Sequence, residues 1–368
     1  MRVLMISKAC VVGIYQTKLE ELARRPGVEL AVVVPPSWRD ERGALVLERA
    51  HTTGYDLIET PIAFNGHFHL HFYPQLGKLL RRFQPHILHI DEEPYNLAAF
   101  QAMRLAQRIG ARTLLFTWQN LHRSYPPPFS WMESYNLCRA DYVLAGNKEA
   151  EAVMRAKGYA GPVAAIPQFG VDPDVFAPRS AQGGATFIIG YVGRLVEAKG
   201  VETLLRAVAG LRIESEWRLH LIGSGPLEEH LRRLASELGV SGRVRFEGQL
   251  PSTEMPARLR ALNTLVLPSL TRSNWKEQFG RVLIEAMACG VAVIGSDSGE
   301  IPHVIGDAGL IFPEGNVEAL RDQLVQLADN DNLRAELAAR GRARVLARYT
   351  QARIAEATYS VYRQILTA

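Results

Sequence analysis

The feature that most constrains this chain is a regular alternation of short β-branched apolar runs with longer amphipathic stretches along its whole length. That alternation is typical of parallel β-sheets covered by helices. In the first half it predicts strands at 2–6, 29–34, 86–90, 112–116, 142–145 and 163–166. In the second half it predicts strands at 187–192, 217–222, 243–247, 264–267, 291–294 and 310–312. We therefore expect an α/β fold.

Helical patterns lie between these predicted strands. They cover 17–25, 75–83, 97–109, 200–211, 226–238, 253–261, 281–289 and 316–328. The tail, 331–367, is almost wholly helical in pattern, and three consecutive prolines predict an ordered loop over 122–130. The elements form two doubly wound units in tandem.

A chain of 368 residues is long for one hydrophobic core, so two domains are expected. The composition shifts near residues 170–186, where 170–173 and 180–184 are predicted to form an interdomain linker. The predicted domains are 1–172 and 173–351. Ligands of such sheets bind at the carboxyl ends of the strands.

Composition and charge exclude several classes of protein. With 47% hydrophobic and 22% charged residues, the chain resembles an ordinary globular protein, and no apolar run approaches the ~20 residues of a membrane span. The three cysteines lack metal-binding spacing, which favours free thiols in a reducing cytoplasm. The N-terminus is expected to be a first strand rather than a signal peptide. The net charge of +4 suits a polyanionic ligand or an anionic membrane surface, but no dense basic tract indicates nucleic-acid binding.

The most specific motif is a pair of glutamates, Glu277 and Glu285, on either side of a glycine. Gly280 permits a tight turn into a helix that begins near Arg281, and the first N–H groups of that helix can bind a phosphate. A rise of ~1.5 Å per residue puts the two carboxylates on the order of 10 Å apart. This suits one carboxylate for each end of a sugar–diphosphate–ribose. A helix cap and a surface glutamate are the alternative, but the apolar neighbours of Glu285 argue against it.

A second motif follows the predicted strand 187–192 and combines a glycine with two cations. Gly193 lets the backbone approach a ligand. Arg194 can bind a diphosphate through two hydrogen bonds, and Lys199 adds a point charge. The segment is not a Walker loop, because its second glycine and the Ser or Thr after the lysine are missing.

A third segment, Gly223-Ser224-Gly225, is a glycine turn after a strand, but Glu228 stands where a dinucleotide fingerprint needs glycine. In this order and spacing, the three segments resemble the retaining glycosyltransferases of family 4. The resemblance covers nearly the whole chain and is weaker in the first half. It implies a GT-B fold, in which two doubly wound Rossmann-like domains face a central cleft. It also implies that the C-terminal helix 352–368 crosses back onto the first, acceptor-side domain, while the second binds the nucleotide sugar.

The resemblance implies roles for the matching residues. Arg194 and Lys199 would neutralise the leaving diphosphate, and Glu277 would bind hydroxyls of the donor sugar. Glu285 would bind the ribose. The remaining donor-binding residues would be Gly193, Phe246, Gly248, Gln278, Phe279, Gly280, Arg281 and Val282. The acceptor's proton would pass to the leaving diphosphate in a metal-independent front-face reaction, which needs no protein nucleophile.

The first domain departs from the family pattern. The family often has two glycines after the first strand, whereas the loop here has only Gly13. It also often shows Thr-x-His, but here Gln119 stands where the histidine is expected. An amide can hydrogen-bond a sugar hydroxyl but carries no charge. Gln119 and Asn120 are therefore predicted donor-sugar contacts, with strand-end capping as the alternative.

Three further segments have two interpretations each. Glu92, in the acidic run after strand 86–90, would bind acceptor hydroxyls or belong to a helix cap. Alternating His67, His69 and His71 would share one face of a strand, but a polar loop or strand near the acceptor is favoured over a metal site. The Asp-Pro-Asp run at 172–174 matches a metal-binding DxD pattern but is interpreted as turn chemistry.

The resulting prediction is a cytoplasmic glycosyltransferase that uses a nucleotide-diphosphate sugar as co-substrate and needs no cofactor or metal. Its acceptor would be a glycan, a lipid-linked sugar or another hydroxyl compound, and peripheral attachment to a membrane is left open. Two alternatives remain, a GT-B-like nucleotide-sugar epimerase or hydrolase and a non-catalytic carbohydrate-binding protein.

Overall fold

The computed structural model describes residues 1–40, 43–178 and 186–367, with only the backbone for Asp40. These residues divide into two compact units. Unit 1 comprises Met1–Gly170 and the residues from Gln351 onward, and unit 2 comprises Val171–Thr350. Of the predicted linker, 170–173 spans the change of unit, whereas 180–184 lies outside the described residues.

Unit 1 is built on a parallel sheet. Its strands are β1 (Arg2–Ile6), β2 (Glu29–Val34), the hairpin strands β3 (Ser37–Asp40) and β4 (Gly43–Val46), β5 (Asp56–Glu59), β6 (Ile87–Ile90), β7 (Arg112–Thr117), β8 (Tyr142–Ala145) and β9 (Val163–Ala165). Over the described ranges the sheet order is β5-β2-β1-β6-β7-β8-β9, and β3 pairs with β4 in a separate antiparallel hairpin. The helices are α1 (Thr17–Ala23), α2 (Leu76–Phe83), α3 (Leu97–Ile109), α4 (Phe129–Arg139) and α5 (Lys148–Ala156).

The central strands of unit 1 are apolar along their length because helices cover both faces of the sheet. β6 is buried throughout, and β1 is buried from Val3 onward. Local signals also set the helix ends. The Asn96 side chain caps α3 by accepting a hydrogen bond from the Ala99 N–H at 2.8 Å, and Gly110, with φ +69°, ends it.

Unit 2 repeats this architecture. Its strands are β10 (Thr186–Val192), β11 (Glu216–Ile222), β12 (Val244–Gly248), β13 (Thr264–Leu267), β14 (Ala292–Ser296) and β15 (Leu310–Phe312). In the described part of the chain they pair in parallel in the order β12-β11-β10-β13-β14-β15. The helices are α6 (Val201–Ala209), α7 (Glu228–Glu237), α8 (Met255–Arg260), α9 (Arg281–Ala288), α10 (Ile301–Ile305), α11 (Val317–Asp329) and α12 (Asp331–Arg348).

The last helix, α13 (Gln351–Thr367), belongs to unit 1. Ile354, Tyr362 and Ile365 are buried in the core of that unit. The Tyr362 hydroxyl lies 2.7 Å from Nδ1 of His89, which is fully buried on β6. Burial lowers the pKa of His89 well below its ordinary value, so this histidine is neutral and acts as a structural contact.

The two parallel sheets confirm the predicted α/β class of two Rossmann-like units, and the twelve predicted strands are all present near their predicted bounds. Strands β3, β4 and β5 were not predicted. Each has four residues, and β5 is an edge strand that begins with Asp56 and ends with Glu59, so its apolar pattern is too short to detect. Among the described residues, no helix is long and apolar enough to cross a membrane.

Candidate functional site

The charged motif residues of unit 2 follow β10 and β13, which are neighbours in the sheet. Because parallel strands end at the same edge, the loops after these strands leave the sheet side by side. Lys199 Nζ lies 2.6 Å from Glu277 Oε2, although 78 positions separate the two residues in the sequence. The structure therefore brings together two of the residues predicted to be catalytic.

The Glu277 carboxylate is held in one orientation. Its side chain is only 9% exposed, and the Ser269 hydroxyl donates a hydrogen bond to Oε2 at 2.8 Å. The Glu277 carbonyl accepts the Glu300 N–H at 3.1 Å. Burial and the charge of Glu277 raise the pKa of Tyr191, so its hydroxyl stays protonated. Sequence reasoning did not identify Ser269, whose signal is its position directly after β13 and Pro268.

Glycines allow these loops to contact one another backbone to backbone. A Cβ atom on Gly200 would lie 1.9 Å from the Pro268 carbonyl oxygen, and one on Gly223 would lie 1.9 Å from the Gly193 carbonyl oxygen. Gly200 also has φ +64°, a conformation that disfavours other residues. The glycine-rich segments therefore set the spacing of the loops that carry the charged residues.

The third predicted catalytic residue, Arg194, has an exposed side chain in the loop after β10. Its carbonyl accepts a hydrogen bond from the Tyr191 hydroxyl at 2.7 Å, which fixes the backbone there. The guanidinium is thus carried on a fixed backbone at the same edge of the sheet as Lys199. An exposed guanidinium there can bind an anion through two hydrogen bonds.

Helix α9 starts as the glutamate motif predicts. Gly280 precedes it with φ +72°, so the helix begins directly at Arg281. Helix N-termini favour anions because their first N–H groups lack helical partners. The Arg281 Nε atom lies 2.8 Å from Glu285 Oε1 one turn later. Burial raises the pKa of Glu285, and the Arg281 charge opposes that rise.

The remaining donor-binding residues predicted in unit 2 lie on β12 and after β13. The Phe246 ring is covered by the Arg232 guanidinium at 4.2 Å from its centroid. The Gly248 carbonyl accepts the Gly223 N–H at 2.7 Å. Three other positions follow β13: Gln278 is exposed, Phe279 is buried edge-on against Tyr349, and Val282 is half-buried.

In unit 1, Glu92 is a fully buried charge. Its carboxylate forms an ion pair with Lys8, lies 3.1 Å from His71 Nε2, and accepts hydrogen bonds from Tyr73 at 3.1 Å and Asn96 at 3.2 Å. Burial opposes its ionisation, but the charges of Lys8 and His71 lower its pKa to about 2. Glu92, which was predicted to bind acceptor hydroxyls, is thus enclosed by side chains of unit 1. To contact an acceptor, its carboxylate would have to give up some of these hydrogen bonds.

Gln119 has partners at both ends of its amide. It donates to Glu133 at 2.8 Å and accepts from the Lys157 ammonium at 2.9 Å, and Lys157 also pairs with Glu133 at 2.7 Å. Asn120 is buried as well and donates to Glu149 at 3.4 Å. These contacts support the loop after β7, where the family pattern has a charged ring.

Gly13 lies in the short turn after β1, and its N–H donates to Glu48 Oε2 at 2.6 Å. A Cβ atom there would lie 2.7 Å from that same oxygen. The glycine therefore allows the Glu48 carboxylate to approach the backbone. This close approach within unit 1 is a structural reason for a glycine at position 13.

Glu93, which belongs to the same acidic run as Glu92, lies beside it in the sequence but has a different environment. It accepts hydrogen bonds from the Thr117 hydroxyl at 2.7 Å and the Trp118 N–H at 2.9 Å. Burial raises its pKa to about 7, against the effect of these donors. Its only sequence signal is its place in an acidic run at a strand end.

The alternating histidines do not form a strand. His71 is buried against Glu92, whereas His69 packs against the rings of Tyr95 and Phe129 at 5.3 and 4.9 Å. No group of three His, Cys, Asp or Glu side chains within the described ranges could hold a metal ion. The Asp172 carboxylate accepts the Asp174 N–H at 2.9 Å, so the Asp-Pro-Asp run is a turn, as predicted.

In comparison with protein families, each of the two units matches a glycosyltransferase family model. The family model described as glycosyl transferases group 1 matches residues 176–344, and the model described as glycosyl transferase 4-like domain matches residues 12–169. Together the two matches cover most of both units.

Among curated relatives, the chain is 36% identical over 169 residues to a GDP-mannose-dependent monoacylated α-(1-6)-phosphatidylinositol monomannoside mannosyltransferase of Corynebacterium glutamicum. That match covers 45% of this chain and 44% of the relative. A D-inositol 3-phosphate glycosyltransferase of Corynebacterium jeikeium is 31% identical over 261 residues, which cover 63% of this chain and 61% of the relative. The chain thus spans about half the length of the curated relatives it matches.

Solved structures share the fold. Sucrose-phosphate synthase from Thermosynechococcus elongatus aligns over 100% of this chain and 99% of its own, with a TM-score of 0.75 and 21% identity. Anabaena HepE, solved with UDP and glucose, aligns over 99% of this chain and 100% of its own, with a TM-score of 0.69 and 17% identity.

Proposed function

From the premise that the chain belongs to the group 1 glycosyltransferases of the GT-B fold, we propose that it transfers a sugar from a nucleotide-diphosphate sugar to a hydroxyl acceptor with retention of configuration. The observation that carries this proposal is the Lys199–Glu277 pair at the carboxyl edge of the unit 2 sheet. A cation and a carboxylate in contact match the two halves of such a donor, a diphosphate and a sugar rich in hydroxyl groups.

In the proposed donor complex, Arg194 and Lys199 neutralise the diphosphate as the bond to the sugar breaks. The Lys199 ammonium has three donors and can therefore bridge Glu277 and a phosphate oxygen. The helix N-terminus at Gly280–Val282 adds positive potential on the phosphate side. These groups stabilise charge that grows in the transition state, which is the largest single source of rate enhancement in many enzymes.

The carboxylates have separate tasks in the proposal. Glu277 binds donor-sugar hydroxyls, because Ser269 holds its carboxylate in one orientation. Glu285 binds the ribose, and the base lies beside Phe246 and Gly248. The departing diphosphate accepts the proton of the acceptor hydroxyl, so the reaction uses no protein nucleophile, metal or cofactor. Catalysis then consists of positioning and charge stabilisation.

Unit 1 is the proposed acceptor side, with Gly13, Glu92, Gln119 and Asn120 supporting its loops. The acceptor is a glycan or a lipid-linked sugar. Relatives carry names of enzymes that act on phosphatidylinositol mannosides and on inositol phosphate, which supports this acceptor class.

Peripheral attachment to the inner face of a membrane is part of the proposal. Large apolar side chains of unit 1 are exposed, including Phe64 at 57% and Trp131 at 69%, and the net charge is +4. Co-sedimentation with phosphatidylglycerol vesicles, but not with phosphatidylcholine vesicles, would support it, and Trp131→Ala should weaken that binding. Equal recovery from both vesicle types, or from neither, would contradict it.

The test is to incubate the purified chain with GDP-mannose, UDP-glucose, UDP-N-acetylglucosamine and ADP-glucose, together with a panel of glycosides and a polar lipid extract. We expect one donor to release its nucleoside diphosphate, and the product to keep the anomeric configuration of that donor by NMR. Release of free sugar alone would favour a hydrolase, and a changed sugar with no transfer would favour an epimerase. Binding without turnover would favour a carbohydrate-binding protein.

A further inference from the structure

The loop between β13 and α9 contains a tight hairpin at residues 272–275. The Arg272 N–H donates to the Trp275 carbonyl at 2.7 Å, and the Trp275 N–H donates back to the Arg272 carbonyl at 3.2 Å. Sequence reasoning treated this stretch only as a connection. The paired hydrogen bonds instead fix the backbone of Trp275, from which its side chain extends.

The hairpin is also fastened to the neighbouring loop that carries Lys199. The Arg272 guanidinium lies 2.8 Å from Glu197 Oε1, two residues before Lys199. At the base of the hairpin, the Leu270 N–H donates to the Ala198 carbonyl at 2.8 Å. These contacts join the two loops and place the hairpin beside the cation.

The Trp275 ring covers the Lys199 ammonium at 4.8 Å from its centroid. Lys199 is 20% exposed and touches Glu277 on another side. A cation over an indole face is attracted by the negative charge of the ring face, and indole is the strongest such partner among the aromatic side chains. The ring therefore restricts a side chain that would otherwise sample many rotamers.

We propose that Trp275 is a positioning residue that holds the Lys199 ammonium beside Glu277 and ready for the diphosphate of an incoming nucleotide. The inference rests on the proposed function, because it assigns Lys199 to that diphosphate. When the diphosphate arrives, the ammonium turns one N–H toward it, and the environment of the indole changes. Trp275 is thus also an internal reporter of occupancy.

The experiment uses the full chain and the nucleoside diphosphates GDP, UDP and ADP as probes. Their binding is measured by calorimetry and, separately, by tryptophan fluorescence for the wild type, Trp275→Phe and Trp275→Ala. Trp131→Phe, which removes an exposed tryptophan of unit 1, is the matched control.

We expect the nucleotide that binds the wild type to change its fluorescence, and the change to survive in Trp131→Phe but disappear in Trp275→Phe. Because a phenyl ring keeps part of the attraction to Lys199, Trp275→Phe should bind within about threefold of the wild type, whereas Trp275→Ala should bind about tenfold more weakly.

Wild-type affinity in Trp275→Ala, or an unchanged fluorescence response in Trp275→Phe, would overturn the inference and leave the proposed function standing. A wild-type chain that binds none of the three nucleotides would instead contradict the proposed function, and the inference would fall with it. The phenylalanine variant also shows whether any loss in Trp275→Ala reflects a misfolded hairpin.

Discussion

The two units carry polar groups at equivalent edges of similar sheets, but they use them differently. In unit 1 the Glu92 side chain is fully enclosed by Lys8, His71 and other partners. In unit 2 Arg194 is exposed, and Lys199 remains one-fifth exposed beside Glu277. The same fold thus supports a closed polar network in one unit and accessible charges in the other.

This difference indicates that exposure separates the cations of unit 2 from the enclosed charges of unit 1, although Glu277, at 9% exposed, is nearly as buried as Glu92. A buried carboxylate with a complete set of partners stabilises the loops around it, and a ligand would have to displace those partners. An accessible cation keeps donors for a ligand. Removing charges from each unit in turn tests this contrast.

The first prediction concerns the Lys199–Glu277 pair of unit 2. Lys199→Ala and Glu277→Ala should each lower the rate of nucleoside diphosphate release by about 10²–10³-fold, the effect of removing one transition-state contact. The melting temperature should fall only slightly, because Lys199 is one-fifth exposed and Ser269 still donates to the Glu277 carboxylate in the lysine variant. Arg206→Ala removes an exposed cation that pairs only at the surface of unit 2 and serves as the control. Wild-type rates in both site variants would refute the assignment.

The second prediction concerns the closed network of unit 1. Glu92→Gln should lower the free energy of unfolding by about 3 kcal/mol, because it leaves the Lys8 ammonium without its buried partner. Glu356→Gln removes an exposed carboxylate that pairs with Arg25 and should cost less than about 1 kcal/mol. Urea unfolding measures both. Equal costs in the two variants would show that Glu92 is not a buried structural charge.

The third prediction tests the contact between the unit 2 loops. Gly200 and Gly239 have similar φ angles, +64° and +71°, but a Cβ atom on Gly239 would meet nothing within 4 Å. Gly239→Ala should therefore carry only the backbone strain of about 1 kcal/mol. Gly200→Ala should cost about 2 kcal/mol more, because its Cβ meets the Pro268 carbonyl, and it should weaken nucleotide binding. Equal free energies of unfolding for the two variants would show that the close approach of Gly200 to Pro268 has no structural role.

The fourth prediction separates two adjacent carboxyls of unit 1 by pH. Burial raises the pKa of Glu93 from 4.5 to about 7, so its stabilising, protonated form is present below about pH 4.5 and is lost as the pH rises through 7. Glu92, with its pKa lowered to about 2, stabilises above about pH 4.5 and loses that effect as the pH falls through 2.

The charged and titratable groups that face Glu93 are Lys8, Glu92, Tyr95 and Tyr125. The pKa of Glu93 rises from 4.5 to about 7, and each pKa unit corresponds to about 1.4 kcal/mol. Glu93→Gln should therefore flatten the decline of stability between about pH 5 and about pH 8 by about 2.5 kcal/mol. Thermal unfolding across that range measures it. A decline as steep as that of the wild type would assign the pH dependence to other groups.

Much of the fold was predictable because continuous apolar runs such as β6 and β13 mark buried parallel strands. The charged loops of unit 2 were predictable for a related reason, since Lys199 and Glu277 each follow a strand end. Their direct contact could not be predicted, because it depends on β10 and β13 being neighbours in the sheet. The burial of Glu92 among its partners could not be predicted either, because His71 and Lys8 are distant from it in the sequence.

The contact between Trp275 and Lys199 could not be predicted from the sequence either. Its role depends on a distance to Lys199 across two loops, and neither residue type nor spacing encodes such a distance. The glycine signals were informative in part. The sequence predicts that Gly193 lets the backbone approach a ligand, and the structure adds a close approach between loops, since a Cβ atom on Gly223 would lie 1.9 Å from the Gly193 carbonyl oxygen.

We propose that unit 2 binds a nucleotide-diphosphate sugar through Arg194, Lys199 and Glu277, and the first prediction depends on this binding. The most direct measurement is a thermal-shift panel of GDP, UDP, ADP and TDP with their common sugar conjugates, on the wild type and on Lys199→Ala. A ligand that binds the folded state raises the melting temperature by mass action. We expect a rise in the melting temperature of the wild type with the nucleotides of one base, and a much smaller rise in Lys199→Ala. No rise with any nucleotide at concentrations well above ~1 mM, or an equal rise in both proteins, would contradict it.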